Sequence, residues 1–228
     1  MPNFWRNLSK PIFALAPMED VTDTSFREVV AGLSDPQYLH ILFTEFTSVD
    51  GMNHPKGKVK VGERLFVSES EKELLKQKNI RLVAQIWGNK PEIFHKIGAR
   101  IRDQLNPETL FLGNGDVFSV SQGEELVAKF GLDGVMIGRG IFHNPWFFNP
   151  LRQSPSKSEK LAQLLLHTRL YEQNWSGKKN FNQLKRFYKI YTNDFTGAAQ
   201  LRAQLMDAKT YEDVYQITNA FIKELPLL

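Results

Sequence analysis

The chain has 228 residues, with 29 Lys and Arg against 25 Asp and Glu, a net charge of +4 and no cysteine. That length suits one large domain or two small ones, and so mild a charge selects no partner. The missing cysteine excludes disulfides, thiolate metal sites and thiol catalysis, and fits a reducing compartment.

The first element in chain order is "PIFALAPM" (11–18), a short apolar run stopped by Pro17 that reads as a buried strand. In "DVTDTSFREVVAGL", Thr22 or Asp23 caps a predicted helix with Phe26, Val29, Val30 and Leu33 on one face. "HILFTEF" (40–46) is a second buried strand with Glu45 at its end, and the polar, Gly-rich "SVDGMNHPKGKVKVGERLFVSES" reads as loop. "EKELLKQKN" is a helix and "IRLVAQIWG" (80–88) a third strand. "KPEIFHKIGARIRDQL" is a helix with Pro91 near its first turn. "ETLFLGNGD" (108–116) is a fourth strand. "SQGEELVAKFG" is a helix that Gly131 stops, and "DGVMIGRGIFHNPWFF" (133–148) opens with the fifth strand. This alternation predicts a parallel sheet covered by helices.

Beyond Pro150 the pattern changes. "SEKLAQLLLHTRLYEQNW", "NFNQLKRFYKIYTNDF", "GAAQLRAQLMDA" and "TYEDVYQITNAFIKEL" all read as helices, so the chain divides near residue 150. Residues 151–189 hold nine basic side chains (Arg152, Lys157, Lys160, Arg169, Lys178, Lys179, Lys185, Arg186 and Lys189) against Glu159 and Glu172. Such a block suits an anionic partner, or simply a solvated helix face. Lys185, Arg186 and Lys189 stand among Phe187, Tyr188 and Tyr191; that mixture suits RNA by phosphate contact and stacking, or a bundle whose aromatics are core.

Two successive strands end alike, in "LFLGNGD" and "VMIGRG". Functional residues of parallel strands gather at the C-terminal ends, glycines there let backbone approach a ligand, and an arginine offers phosphate a bidentate grip. Asn114, Gly115, Asp116, Gly138 and Arg139 therefore form an expected phosphate site; tight turns without a ligand are the plainer reading. His40, His54, His95, His143 and His167 show no metal-ligand spacing, and no Walker loop or G-x-S-x-G is present. No apolar run approaches the roughly 20 residues of a membrane helix, and "MPNFWRNLSKP" lacks a signal-peptide core. A soluble, cytoplasmic protein is expected, with no membrane or metal partner.

"APMEDVTDTSFR" (16–27), "VAQIWG" (83–88), "GNGDV" (113–117) and "DGVMIGRGIFHNPWFF" (133–148), in this order, closely resemble the tRNA-dihydrouridine synthases. The tail "FYKIYTNDFTGAAQLRAQLMDAKTYEDVYQI" resembles that family's C-terminal helical domain, which binds tRNA. The resemblance implies an FMN-dependent (β/α)8 barrel that uses NADPH to reduce the C5–C6 bond of particular tRNA uridines. It implies that Pro17, Met18 and Glu19 line the flavin and that Gln85 bonds its polar edge. Asn114, Gly115 and Asp116 would meet the ribityl-phosphate end, Gly138 and Arg139 the phosphate, and Lys185, Arg186 and Lys189 the RNA.

The chain departs from that pattern in length. A βα unit takes about 30 residues and an eight-stranded barrel about 250, whereas only five strands are legible before Pro150. The segment in which the family carries its catalytic cysteine, a flavin-contacting lysine and a histidine has no counterpart between Gly88 and Asn114. About three βα units are missing, with the join near Gly98–Leu105. The expected fold class is therefore α/β: an incomplete TIM-barrel-like (βα) domain of about five units (residues 1–150), followed by an all-α helical domain (residues 151–228). No catalytic residue carries over, although Glu45 and His143 are acids placed near strand ends. The third and fourth strands would either pair directly or remain as exposed edges that invite dimerisation. Two functions stay open: a shortened FMN- and NADPH-dependent tRNA-dihydrouridine synthase, and a non-catalytic tRNA-binding protein derived from one.

Overall fold

The computed structural model describes residues 4–87, 112–115, 117–130, 133–152 and 154–223. Five strands, β1 (Ile12–Leu15), β2 (Ile41–Phe43), β4 (Arg81–Val83), β6 (Leu112–Gly115) and β7 (Gly134–Ile137), form one sheet in the order β4-β2-β1-β7-β6. Every pairing is parallel, with Leu15 opposite both Leu42 and Ile137. Two-residue strands β3 (Thr47–Ser48) and β5 (Ile86–Trp87) continue β2 and β4 as a separate parallel pair.

The order of the strands explains the fold. Successive strands step outward from β1 on one side, and the last strand returns to its other side. This is the order left when three consecutive strands are removed from a closed eight-stranded ring. The third and fourth expected strands, β4 and β6, lie at opposite edges and do not pair. They stand four strand spacings apart, roughly 19 Å along the sheet, so of the two alternatives, direct pairing or open edges, the described residues show the second, and the barrel is not closed.

Alternation along β1 sorts its side chains. Ile12 and Ala14 join Ile41 on one face, while Phe13 and Leu15 enter the large core under the helices with Leu42, Val135 and Ile137. Helix α1 (Thr24–Leu33) is capped by Asp23, whose carboxylate accepts from Phe26 N–H. At its other end, Lys78 donates to the carbonyls of Ala31, Gly32 and Ser34 at 2.7–2.8 Å. Residues 49–65, expected to be loop, instead hold α2 (Val49–Asn53), α3 (Gly57–Gly62) and a 3-10 turn over Glu63–Leu65. Helix α3 buries no residue, so no apolar periodicity marks it in the sequence. Helix α4 (Glu69–Gln77) precedes β4, α5 (Val120–Phe130) precedes β7 and the short α6 (Gly140–His143) follows it. The helix expected around Pro91 lies outside the described residues.

After a 3-10 turn at Pro150–Arg152 the chain becomes helical. Helix α7 (Lys157–Trp175) starts with a Ser156–Glu159 capping box. The single helix expected over "NFNQLKRFYKIYTNDF" is a 3-10 segment, Phe181–Phe187, followed by the short α8 (Tyr188–Tyr191). Helices α9 (Ala198–Asp207) and α10 (Tyr211–Lys223) complete the described chain. The apolar core runs without a break across residue 150: Phe26 stacks on Phe187 at 4.9 Å, and Ser25 donates to the Leu170 carbonyl at 3.1 Å.

Candidate functional site

Because all five strands are parallel, their C-terminal ends share one rim. Pro17 and Met18 follow β1, Gln85 follows β4, Gly138 and Arg139 follow β7, and Asn114 and Gly115 close β6. Asp116 lies outside the described residues. The topology thus brings the described members of the expected phosphate site to one place, on adjacent strands. Met18 is held in a tight turn by Thr22, whose hydroxyl accepts from Met18 N–H at 2.9 Å. Glu19 is half-exposed and ion-paired with Arg64. Arg139 is exposed at the start of α6.

The two glycines around Arg139 have different reasons. A Cβ at Gly140 would stand 2.1 Å from the Val117 carbonyl, so the packing of the chain demands glycine there. A Cβ at Gly138 would meet only the Ala16 Cβ at 3.8 Å, an ordinary contact. Nothing among the described residues requires Gly138 to lack a side chain. The Gln85 backbone carbonyl accepts from Thr47 N–H at 3.0 Å, and its N–H donates to Thr44 Oγ1 at 3.3 Å. Its side-chain Oε1 is buried and has no hydrogen-bond donor.

A second group of polar residues lies where the rim meets the helical part. Glu45, at the end of β2, is fully buried. Its Oε1 accepts from Asp20 N–H at 2.5 Å. Its Oε2 has no hydrogen-bond partner, and the Lys179 ammonium stands 3.8 Å away. That ammonium is also 3.6 Å from Asp23 and 3.9 Å from the centre of the Trp175 ring. Burial pushes the Glu45 carboxyl above the usual carboxylate range, with Lys179 opposing; Asp23 is raised for the same reason and opposed by the same lysine. Glu45 and Lys179 line a cavity of about 240 Å³. Lys179 is one of nine basic residues in a long stretch, and no spacing in the sequence ties it to Glu45.

Of the three cations expected to meet RNA, Lys185 donates to the Met206 carbonyl at 2.6 Å. Arg186 donates to the Asp20 carbonyl at 2.7 Å, bridging to the turn after β1. Lys189 is exposed. The neighbouring Phe187, Tyr188 and Tyr191 are at most 1% exposed, so they are core and offer no stacking surface. His143 is exposed, edge-on to Phe118 at 5.1 Å. Among the described residues no cluster of three or more His, Asp or Glu forms a metal site, and no helix is long and apolar enough to cross a membrane.

Comparison with known proteins accounts for this arrangement. The chain is 29% identical to a Staphylococcus epidermidis protein described as "Probable tRNA-dihydrouridine synthase", over 96% of each chain. It is 28% identical, with the same coverage, to a Bacillus subtilis protein described as "Probable tRNA-dihydrouridine synthase 2". These alignments run over 324 positions against the 228 residues present, so at least 96 positions, the difference, have no residue in this chain. That is the length of about three βα units, in keeping with the open sheet. The family model for dihydrouridine synthase (Dus) matches residues 90–225, more than half of the chain. The chain belongs to the dihydrouridine synthase family.

Proposed function

We propose that this chain is a tRNA-directed, FMN- and NADPH-dependent dihydrouridine synthase with a shortened barrel, working in the cytoplasm. The observation that carries the reading is the rim of the sheet. Among the described residues a side chain at Gly138 would meet only the Ala16 Cβ, at 3.8 Å, and the buried Oε1 of Gln85 has no donor. Both features fit a bound flavin, the first by admitting close backbone approach, the second by needing a donor such as a flavin ring N–H. The tRNA substrate rests on the printed names of the relatives.

FMN, when bound, supplies the hydride that the C5–C6 bond of uracil accepts. The rest falls to side chains of this chain. Arg139 holds the phosphate by its guanidinium fork, with Gly138, Asn114, Gly115 and Asp116 beside it. Pro17, Met18 and Glu19 wall the ring, and Gln85 fixes its polar edge. Lys185, Arg186 and Lys189 hold the RNA by charge. The proton for C5 cannot come from a thiol, since the chain has none; general-acid help of this kind contributes roughly 10²–10⁴-fold. That absence, with the 96 or more unmatched positions, favours a second reading: a tRNA-binding protein that has lost the reaction.

The deciding measurement is the dihydrouridine content of tRNA from a strain that lacks its own synthases and carries this gene. The synthase reading expects dihydrouridine above the empty-vector level; none would leave the second reading. Flavin titration separates the cofactor from the reaction. FMN should quench on binding the wild type, and Arg139→Ala should weaken it by about 10–100-fold, the loss of one charged contact. Equal titration by both proteins would refute the phosphate assignment.

A further inference from the structure

The sheet ends in two edges, β4 on one side and β6 on the other, and among the described residues neither has a further strand beside it. The ladder shows which backbone groups those edges offer. Arg81 N–H donates to the His40 carbonyl at 2.9 Å, and Thr44 N–H donates to the Val83 carbonyl at 3.0 Å. Arg81 and Val83 therefore turn their backbone toward β2, and Leu82, between them, turns its N–H and carbonyl outward. On the other side, Ile12 and Ala16 donate to the carbonyls of Asp133 and Ile137, at 3.1 and 2.8 Å. Alternation then points Gly134 and Met136 at β6. In a parallel ladder a residue that bonds the neighbouring strand stands opposite one that faces away, so their register partners, Leu112 and Asn114, face outward. The inner surface of the sheet is incomplete as well: Phe43, Val83 and Met136 pack beside Ile12, Ala14 and Ile41 but are only partly buried.

We propose that a second copy of this chain completes the sheet, β4 of each copy pairing in parallel with β6 of the other. A two-fold axis along the strands relates the copies, and the closed ring runs β4-β2-β1-β7-β6 twice. Leu82 N–H donates to the Leu112 carbonyl of the second copy, and Asn114 N–H of that copy donates to the Leu82 carbonyl, which sets Leu82 opposite Gly113. The pleat agrees with this register. Leu82 packs on the helix-covered core, the face to which Gly113 belongs through its pairing with Val135. Val83 lies on the inner face with Met136, and stands opposite Asn114, the register partner of Met136. A second copy fits better than a strand from another protein, because it presents both edges at once, already parallel, and one junction used twice leaves no edge open. A stable dimer buries about 800 Å² per partner. The ring divides that area between two junctions and a shared interior, which covers the partly buried Phe43, Val83 and Met136 of both copies. Nothing in this pairing depends on the reaction proposed above.

Sedimentation velocity of the full chain should show one species of twice the monomer mass. A monomer overturns the inference, and so does a series of open-ended polymers, which the same edges would form if the ring did not close. Cross-linking reads the register, since the chain contains no cysteine of its own. Val83→Cys combined with Asn114→Cys should give a covalent dimer on oxidation. Within one copy these positions lie on opposite edges, roughly 19 Å apart, whereas a disulfide needs Cα atoms within about 7 Å. Either cysteine alone should give no covalent dimer, because the two-fold axis sets its counterpart on the far side of the ring. A covalent dimer from Val83→Cys alone would mean that like edges pair, and overturns the inference. So does a double variant that cross-links no faster than the single ones. Leu82→Pro removes an N–H that β2 does not use, at a place where an edge strand tolerates proline, and should weaken the dimer at least about tenfold. A folded Leu82→Pro protein that dimerises as tightly as wild type overturns the proposed junction; if that variant does not fold, the cysteine pair decides.

Discussion

Arg27 and Glu71 are both completely buried, and they face each other side-on: Arg27 Nε and Nη2 each donate to a different Glu71 oxygen at 2.7 Å. Two further donors of Arg27 go to the carbonyls of Thr22, at 2.6 Å, and Phe66, at 3.0 Å. Thr24 donates to the same carboxylate. Burial raises the Glu71 carboxyl and the guanidinium beside it pulls it back. Removing one partner strands a charge in the core, so Glu71→Ala should lower unfolding stability by about 3–5 kcal/mol. Replacing both, as Arg27→Met with Glu71→Leu, removes the stranded charge and should recover most of that loss. Urea denaturation of the three proteins checks this; a double variant as unstable as Glu71→Ala would show that the polar network as a whole, and not the isolated charge, carries the stability. Arg27 closes the "APMEDVTDTSFR" motif, so its presence was legible as part of a resemblance. Its partner was not, because Glu71 sits on another helix, and a pair formed only by the packing of α1 on α4 leaves no local pattern. The same holds for Glu45 and Lys179.

Elements were readable where periodicity and turn chemistry agree. The five expected strands fall on short apolar runs, and Asp23 caps α1 as one of the two residues expected to do so. Helices α2 and α3 were not readable, because helices of five and six residues are too short to show an apolar stripe. The aromatic and basic run after Asn180 left two readings open, and burial of Phe187, Tyr188 and Tyr191 settles that the aromatics are core. In the turn after β7 the sequence shows two glycines that look equivalent, and the fold separates them. Gly140→Ala sets a methyl group 2.1 Å from a backbone carbonyl that cannot swing away, so it should cost about 1–3 kcal/mol. Gly138→Ala meets only a methyl group at 3.8 Å and should leave thermal stability within about 1 kcal/mol of wild type. It should nevertheless weaken FMN about tenfold, if the backbone there approaches the phosphate. Thermal melts with and without FMN test both variants; a Gly138→Ala protein that binds flavin as well as wild type would remove Gly138 from the site.

At the scale of the whole molecule, the helical part is not an appendage. Leu161, Leu164, Tyr171 and Trp175 of α7 are buried in the same core as Phe13 and Leu15 of the sheet, and Arg186 and Lys179 reach across to Asp20, Asp23 and Glu45. Cations at this junction therefore have structural partners as well as any RNA, which sorts the three expected RNA contacts. Lys189 is exposed, Lys185 is held by one carbonyl of α9, and Arg186 is part of the seam between the two parts. Each phosphate neutralised by a cation adds about 0.7–0.9 to the slope of log affinity against log salt. Full-length Lys189→Ala should therefore flatten the tRNA-binding slope by about one contact and leave thermal stability unchanged. The triple change of Lys185, Arg186 and Lys189 to Ala should flatten it by about 2–3, and it should also lower the melting temperature, because the Arg186–Asp20 bond goes with it. Filter binding across a salt series, with melts of the same preparations, measures both. A triple variant that binds tRNA with wild-type affinity and slope would mean that these charges only solubilise the helices, and the RNA face would have to be sought elsewhere on the chain.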